Sequence, residues 1–429
     1  MAIADFSGRA HPDACPGALQ VHTAADGGLA RIRVPGGALT PSQLHELAAC
    51  AAELGAGVVE LTSRANVQVR GLGSPETFAT RMAAAGLLPS DTHERVRNIV
   101  ASPLSGRVHT SLIDVRPLVE ALDSALCARP RLAGLSGRFL FALDDGTGDV
   151  AGLGADVTLL ARSRTAWAVL LAGVEAGIVQ ALDDAVGVML AAAEAFLDEL
   201  AVPEEVAGPG SAWRIAELEN GPARVAARLR PGDPAVADGT TRNAGGTPRP
   251  GTHDQTDGRV ALEVVVPLGR LSAAQAHLLA EAARETQGET RLTPWRTVIV
   301  PDLAPASAAR WARAVTEAGL VADPSSPWAG VSACTGRPGC AKSLADVQAD
   351  ATRAVTQAST QAAHLLPVHW AGCERRCGRP RGTVVEVVAT GHGYRIELDG
   401  DRRTGSDVDE TAAAVAAFRT STPEARGEK

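Results

Sequence analysis

The chain repeats itself. Val34-Pro35-Gly36-Gly37-Ala38-Leu39-Thr40-Pro41-Ser42-Gln43-Leu44-His45 aligns with Val266-Pro267-Leu268-Gly269-Arg270-Leu271-Ser272-Ala273-Ala274-Gln275-Ala276-His277. The match continues through Leu47, Ala48, Ala51 and Glu53 against Leu279, Ala280, Ala283 and Glu285. After a one-residue gap, Leu61-Thr62 answers Leu292-Thr293, and Val67 and Val69 answer Val298 and Val300. So long a run of matches at one offset marks a duplicated unit, and whatever fold the chain adopts must accommodate two copies of it.

Each copy reads strand, helix, strand. Residues 31–35 alternate as a short strand. Thr40 suits a helix N-cap, Pro41 the first helical position, and Gln43 completes a capping box; Ser272 and Gln275 repeat that box. Leu44, Leu47, Ala48 and Ala51 then recur at helical spacing. Residues 58–61 and 67–69 alternate as strands. Between the copies, 139–143, 157–161 and 166–171 read as strands and 177–200 as a long amphipathic helix. Residues 231–257 are rich in Gly, Pro, Thr, Asp and Asn and nearly devoid of apolar side chains, which predicts a disordered linker. The first half therefore ends near 230 and the second starts near 258.

Composition narrows the function classes. The 429 residues carry a net charge of −8 with no basic stripe, which argues against a nucleic-acid partner. No stretch of about 20 apolar residues occurs, so no membrane-spanning helix is expected. The first residues lack the basic-then-apolar pattern of a signal peptide, so a cytoplasmic protein with reduced thiols is expected.

Cys15, Cys50 and Cys127 are scattered and read as bystanders, Cys50 as a small buried hydrophobe. Cys334, Cys340, Cys373 and Cys377 are different: they form C-x5-C, then 32 residues, then C-x3-C. Four thiolates can hold a 4Fe–4S cluster. Structural zinc is the rival reading, but zinc pairs favour two to four intervening residues. Disulfides are disfavoured in a reducing compartment. Gly336, Gly339, Gly372 and Gly378 flank the cysteines and let the backbone wrap closely. A helix is expected from about 343 to 358, its N-terminal donors facing the cluster.

These features together resemble the sulfite and nitrite reductase superfamily. Arg31-Ile32-Arg33-Val34-Pro35-Gly36-Gly37 is similar to its opening strand, and Glu60-Leu61-Thr62-Ser63-Arg64-Ala65-Asn66-Val67-Gln68-Val69-Arg70-Gly71 to its T-x-R-x-N-x-Q signature. Arg97-Asn98-Ile99 with Ser102-Pro103-Leu104 resembles its R-N-I/V…S-P segment. Three details resemble the precorrin-3B synthase branch of aerobic cobalamin biosynthesis more than the sirohaem reductases. The second copy carries Thr293-Pro294-Trp295-Arg296. Glu374-Arg375 follows Cys373, where the reductases typically place Pro-Asn. Arg138-Phe139-Leu140 stands where sulfite reductases carry a Lys-Phe-Lys triplet that grips the anion.

The resemblance implies an α+β fold of duplicated halves, each a ferredoxin-like half-domain plus an α/β domain, around a pseudo-twofold axis. The expected boundaries are 17–90 and 91–230 for the first half, 231–257 for the linker, and 258–323 and 324–420 for the second, whose last domain holds the cluster. It also implies an oxidoreductase. Precorrin-3A would be hydroxylated by O2 at the meso carbon between rings A and D, with closure of a γ-lactone. The alternative is a sirohaem-dependent nitrite or sulfite reductase. Electrons would come from an external donor, NADH or a ferredoxin-type protein, because no Gly-rich dinucleotide fingerprint follows a strand. A monomer is expected, since the duplication already supplies a pseudo-twofold pair.

A tetrapyrrole carries many carboxylates, and the planar fork of arginine suits them. Arg31, Arg64, Asn66, Gln68, Arg70 and Arg296 are the expected tetrapyrrole-binding residues, and Arg33, Arg97 and Arg138 the expected catalytic ones. Strand alternation puts Arg31 with Arg33, and Asn66 with Gln68 and Arg70, on shared faces. The resemblance further implies a mononuclear non-haem iron, for which no 2-His-1-carboxylate motif is evident. His364 and His369 are its candidate ligands, His22 and His109 more remote ones.

Overall fold

The structure is a computed structural model that describes residues 13–180, 184–201, 212–229, 250–357, 365–380 and 382–420. The first half runs β1 (His22–Ala24), β2 (Gly27–Ile32), β3 (Ala38–Leu39), α1 (Pro41–Leu54), β4 (Val58–Leu61), β5 (Val67–Leu72), α2 (Pro75–Ala84), β6 (Ile99–Ala101), α3 (Arg116–Cys127), β7 (Phe141–Asp144), β8 (Val157–Ala161), β9 (Trp167–Leu171), β10 (Val174–Gln180), α4 (Ala185–Leu200) and α5 (Gly221–Leu229). The second half runs β11 (Gly251–Asp254), β12 (Val260–Val265), β13 (Arg270–Ser272), α6 (Ala273–Glu285), β14 (Thr290–Leu292), β15 (Thr297–Leu303), α7 (Pro305–Glu317), β16 (Val331–Ala333), α8 (Val347–Gln357), β17 (Val368–Ala371), β18 (Val385–Thr390), β19 (Gly393–Leu398), β20 (Asp401–Gly405) and α9 (Val408–Arg419).

The two copies of the repeat complete each other. One sheet has the order β1-β2-β5-β4-β13 and the other β11-β12-β15-β14-β3, so each borrows its fifth strand from the opposite half. The loan depends on a tight turn before each borrowed strand. Gly37 has a positive φ of 71°, and a Cβ there would lie 2.1 Å from the Leu292 carbonyl oxygen. Only glycine allows that approach. Both expected capping boxes form: Thr40 Oγ1 accepts from Gln43 N–H at 3.2 Å, and Ser272 Oγ from Gln275 N–H at 3.3 Å. The helices they start, α1 and α6, pack together. His45 and His277, which are repeat partners, stack their rings 4.2 Å apart. Equivalent residues that meet each other mark the pseudo-twofold axis. One core runs through both sheets, from Leu44, Leu47 and Val67 to Leu262, Leu279 and Val298. Each such buried Leu contributes about 1.5–3 kcal/mol.

Each half adds a second sheet of one topology. β6, β7 and β8 are parallel and β9 and β10 antiparallel; β16, β17 and β18 are parallel and β19 and β20 antiparallel. Each has its own core.

Four sequence expectations need correction. The linker reading of 231–257 fails at its end: β11 pairs with β12, so the second half begins by Gly251. An edge strand needs only backbone bonds on one side, and its polar composition hid it; residues 230–249 lie outside the described residues. The helix expected over 177–200 begins at Ala185, because the chain through Gln180 is still the edge strand β10. The strand expected over 31–35 ends at Ile32, since Pro35–Gly37 turns as a 3-10 helix. The helix expected from 343 starts at Val347.

Candidate functional site

The four cysteines sit in loops at the C-terminal ends of β16 and β17, adjacent parallel strands, which is where α/β sheets place ligands. Cys334 N–H continues the ladder to the Trp370 carbonyl at 2.9 Å. Gly372 N–H donates to Cys334 Sγ at 3.2 Å. Gly372 has no room for a side chain, since a Cβ would meet Ser343 Oγ at 1.9 Å. Cys340 N–H bonds the Gly336 carbonyl, and Arg376 N–H bonds the Cys373 carbonyl, closing both loops into turns. All four thiols are free; Cys334, Cys340 and Cys373 are half-buried and Cys377 is exposed. Burial pushes the Cys334 thiol up, and the neighbouring Cys377 and Cys340 push it further, so these sulfurs share one electrostatic neighbourhood. Four free thiols in two neighbouring loops, with a backbone N–H aimed at one sulfur, fit a cluster better than an isolated thiol site. Since α8 begins only at Val347, the local donor comes from the Gly372 turn and not from a helix start.

Among the described residues, no histidine stands as an iron ligand. His369 is buried, with Nδ1 2.9 Å from Ser332 Oγ and Nε2 3.1 Å from the Cys377 carbonyl. Burial, with Arg296 nearby, pushes its pKa down to about 3. It braces the Cys377 loop as a neutral ring. His22 is exposed on β1 and His109 in the loop after β6. His364 lies outside the described residues.

The arginines divide into two groups. Thr62 Oγ1 accepts from Arg64 and Asn66 N–H, and Asn66 Oδ1 accepts from Val34 N–H at 2.9 Å. Threonine and asparagine of the signature therefore build the turn, and Asn66, buried against Asn98, is structural. Arg31 and Gln68 project from the opposite face to the core. Arg31 donates to Gln68 Oε1 at 2.9 Å, Gln68 to Glu60 Oε2 at 2.6 Å, and Arg31 Nε has no partner. Arg64 donates to the Gly137 carbonyl at 3.3 Å; burial and then the Arg214 charge lower its pKa to about 9. Arg296 donates to the Gly378 carbonyl at 3.0 Å, beside Cys377, with Glu60 as its nearest countercharge. Arg70 forks onto Asp26 and donates to the Gly339 carbonyl at 2.8 Å, beside Cys340. Arg70 on β5 thus touches the Cys340 loop, and Arg296, in the turn before β15, touches the Cys377 loop.

Two of the residues expected to be catalytic are spent elsewhere. Arg33 is 1% exposed and donates to the carbonyls of Arg95 and Pro16 and to Cys15 Sγ. Arg97 is 4% exposed, forks onto Asp123 at 2.6 and 2.7 Å, and bonds the Leu87 carbonyl. Both are internal braces, enclosed where strand alternation alone suggested an open face. Arg138 is exposed and lies 4.7 Å over the Trp213 ring. Cys15, read as a bystander, is instead central: its sulfur meets Arg31 at 3.4 Å, Arg33 at 3.3 Å and the Gly137 carbonyl at 3.5 Å. Nothing in its sequence surroundings marked it, because all three partners are distant in the chain.

A family model described as the nitrite/sulfite reductase ferredoxin-like half domain matches residues 22–76 and 253–318. A precorrin-3B synthase of Sinorhizobium sp is 27% identical over 398 residues, covering 90% of this chain and 83% of that protein. A ferredoxin–nitrite reductase of Synechococcus elongatus is 27% identical over 425 residues, covering 89% of this chain and 79% of that one. The solved structure of the Mycobacterium tuberculosis NirA protein superposes with a TM-score of 0.70 at 19% identity, over 94% of this chain and 82% of that chain.

Proposed function

We propose that this chain, an oxidoreductase that belongs to the sulfite and nitrite reductase superfamily, is a precorrin-3B synthase. Precorrin-3A lies between the β1–β5 sheet face and the cysteine loops. Arg31, Arg64, Arg138 and Arg296 bind its peripheral carboxylates. Gln68 orients Arg31. Arg70 holds the Cys340 loop against this face. Cys334, Cys340, Cys373 and Cys377 hold a 4Fe–4S cluster, which supplies electrons one at a time. In the overall reaction one oxygen atom of O2 enters the meso carbon and the other leaves as water. Two electrons come from NADH or a ferredoxin-type donor, and the ring A acetate closes the lactone.

The observation that carries this reading is the Arg138-Phe139-Leu140 triplet. Phe139 and Leu140 are buried, at 0% and 4%, in separate apolar cores, so only Arg138 faces outward. A site for a small inorganic anion needs converging cations, and this triplet offers one. The second reading, a sirohaem-dependent nitrite or sulfite reductase, is favoured by the exposure of Cys377, which would leave that residue accessible to a bound haem.

The test is the spectrum and turnover of anaerobically purified protein. The synthase reading expects a broad cluster absorption without haem bands, and incorporation of one 18O atom from 18O2 into added precorrin-3A. Intense Soret bands with nitrite or sulfite reduction would replace it by the second reading. Absence of iron and sulfide would remove both.

A further inference from the structure

The cysteine cradle has a twin. In the first half, Ser102 N–H donates to the Leu143 carbonyl at 3.1 Å, as Cys334 N–H does to Trp370 at 2.9 Å. Asp145 N–H donates to Ser102 Oγ at 3.2 Å, as Gly372 N–H does to Cys334 Sγ at 3.2 Å. Leu112 N–H donates to the Asp145 carbonyl at 2.9 Å, as Leu344 N–H does to Gly372 at 2.8 Å. Three equivalent bonds make Ser102 the counterpart of Cys334, and the loop Asp144-Asp145-Gly146-Thr147-Gly148-Asp149 the counterpart of the loop bearing Cys373 and Cys377.

That loop gathers carboxylates where its twin gathers thiols. One oxygen from each of Asp144, Asp145 and Asp149 lies within 4.8 Å of the others. Asp144 is buried, and its two oxygens accept four backbone N–H groups, from Gly146, Gly148, Val150 and Ala151. It organises the loop and contributes charge. Asp149 Oδ1 accepts from Ser102 Oγ at 2.6 Å. Asp145 is 1% exposed; its Oδ1 accepts from Thr147 N–H and Oγ1, but its buried Oδ2 has no partner at all. Buried anionic oxygens normally find a donor or a cation. Among the described residues no arginine or lysine pairs with any of the three. The three carboxylates therefore crowd together without a countercharge.

We propose that this cradle binds one hard divalent cation, of the Ca2+, Mg2+ or Mn2+ class, through Asp145 Oδ2 and Asp149 with Asp144 behind them. Oxygen donors select such ions, and the absence of histidine and cysteine from the trio disfavours zinc, copper and an Fe–S centre. The duplicated scaffold thus offers a soft-ligand cradle in one half and a hard-ligand cradle in the other. The site is separate from the cysteine cradle and does not depend on the substrate proposed above.

The experiment titrates Mn2+ into full-length protein freed of divalent ions on a chelating resin, following free Mn2+ by electron paramagnetic resonance. One saturable Mn2+ per chain is expected, with a dissociation constant below about 1 mM and competition by Ca2+ or Mg2+. Asp145→Asn and Asp149→Asn should each weaken it at least about tenfold while leaving the cluster absorbance unchanged. Asp149 is less buried, so that variant and the wild-type titration decide the matter even if Asp145→Asn fails to fold. No saturable binding, or undiminished binding in Asp149→Asn, overturns the proposal.

Discussion

At one register of the two ferredoxin-like sheets stand Arg31, Gln68 and Glu60 in the first half and Glu263, Ile299 and Arg291 in the second. The first row is half-buried and linked side chain to side chain. The second row is closed. Glu263 is 0% exposed and takes the Thr297 hydroxyl at 2.6 Å and His253 Nε2 at 3.1 Å. Arg291 is 5% exposed, held by the Gly36 carbonyl and Glu289. Trp295 stands at the counterpart of Arg64 and packs on the apolar cluster of Val100, Leu140 and Val150. Duplication supplied two equivalent rows, and side-chain replacement buried one of them more deeply than the other.

The largest test of this asymmetry is Cys373→Ser. It should remove the cluster's visible absorption and most bound iron and reduce turnover to background, while Ser102→Cys at the twin position restores neither. Full iron and sulfide content in Cys373→Ser would break the ligand assignment. Next in size, Arg31→Ala and Arg64→Ala should each weaken tetrapyrrole binding about 10- to 100-fold, the loss of one charge-assisted hydrogen bond at about 1.5–3 kcal/mol. Glu263→Gln in the closed row should leave tetrapyrrole affinity unchanged and lower stability by about 1–3 kcal/mol. Equal affinity losses from both rows would mean that the two faces are not functionally distinct.

The smallest effect concerns pH. The Asp149 carboxyl titrates near 7 in the fold against 3.8 for the free side chain, burial being the main cause. The folded state therefore holds the proton more tightly. This contribution to stability is full below about pH 4 and is lost as pH rises through 7. Cation-free wild-type protein should lose melting temperature over that range more steeply than Asp149→Asn. Parallel pH profiles for wild type and Asp149→Asn would contradict the repulsion among the three carboxylates.

Much of the fold was legible because its signals are local. Thr40 with Gln43, and Ser272 with Gln275, announce helix starts within four residues, and the matching runs announce the duplication. The strand exchange was not legible: β3 and β13 are two and three residues long, and they pair across the molecule by backbone alone. In the site, the cysteine spacing singled out four residues that the structure places in loops after the adjacent strands β16 and β17. Arg33 and Arg97 were misjudged because their charge is satisfied by Arg95, Pro16, Leu87 and Asp123, partners that no motif specifies. No helix among the described residues is long and apolar enough to cross a membrane, in line with the composition.

The sequence by itself determined the doubled plan and the helix caps, because periodicity and capping act over a few residues. Only the tertiary structure decided which arginines stay open and which are enclosed, that Cys15 joins them, and that Ser102 mirrors Cys334. Those outcomes depend on burial and on partners brought together from distant parts of the chain, and a guanidinium's role is set by whichever carbonyl or carboxylate reaches it first.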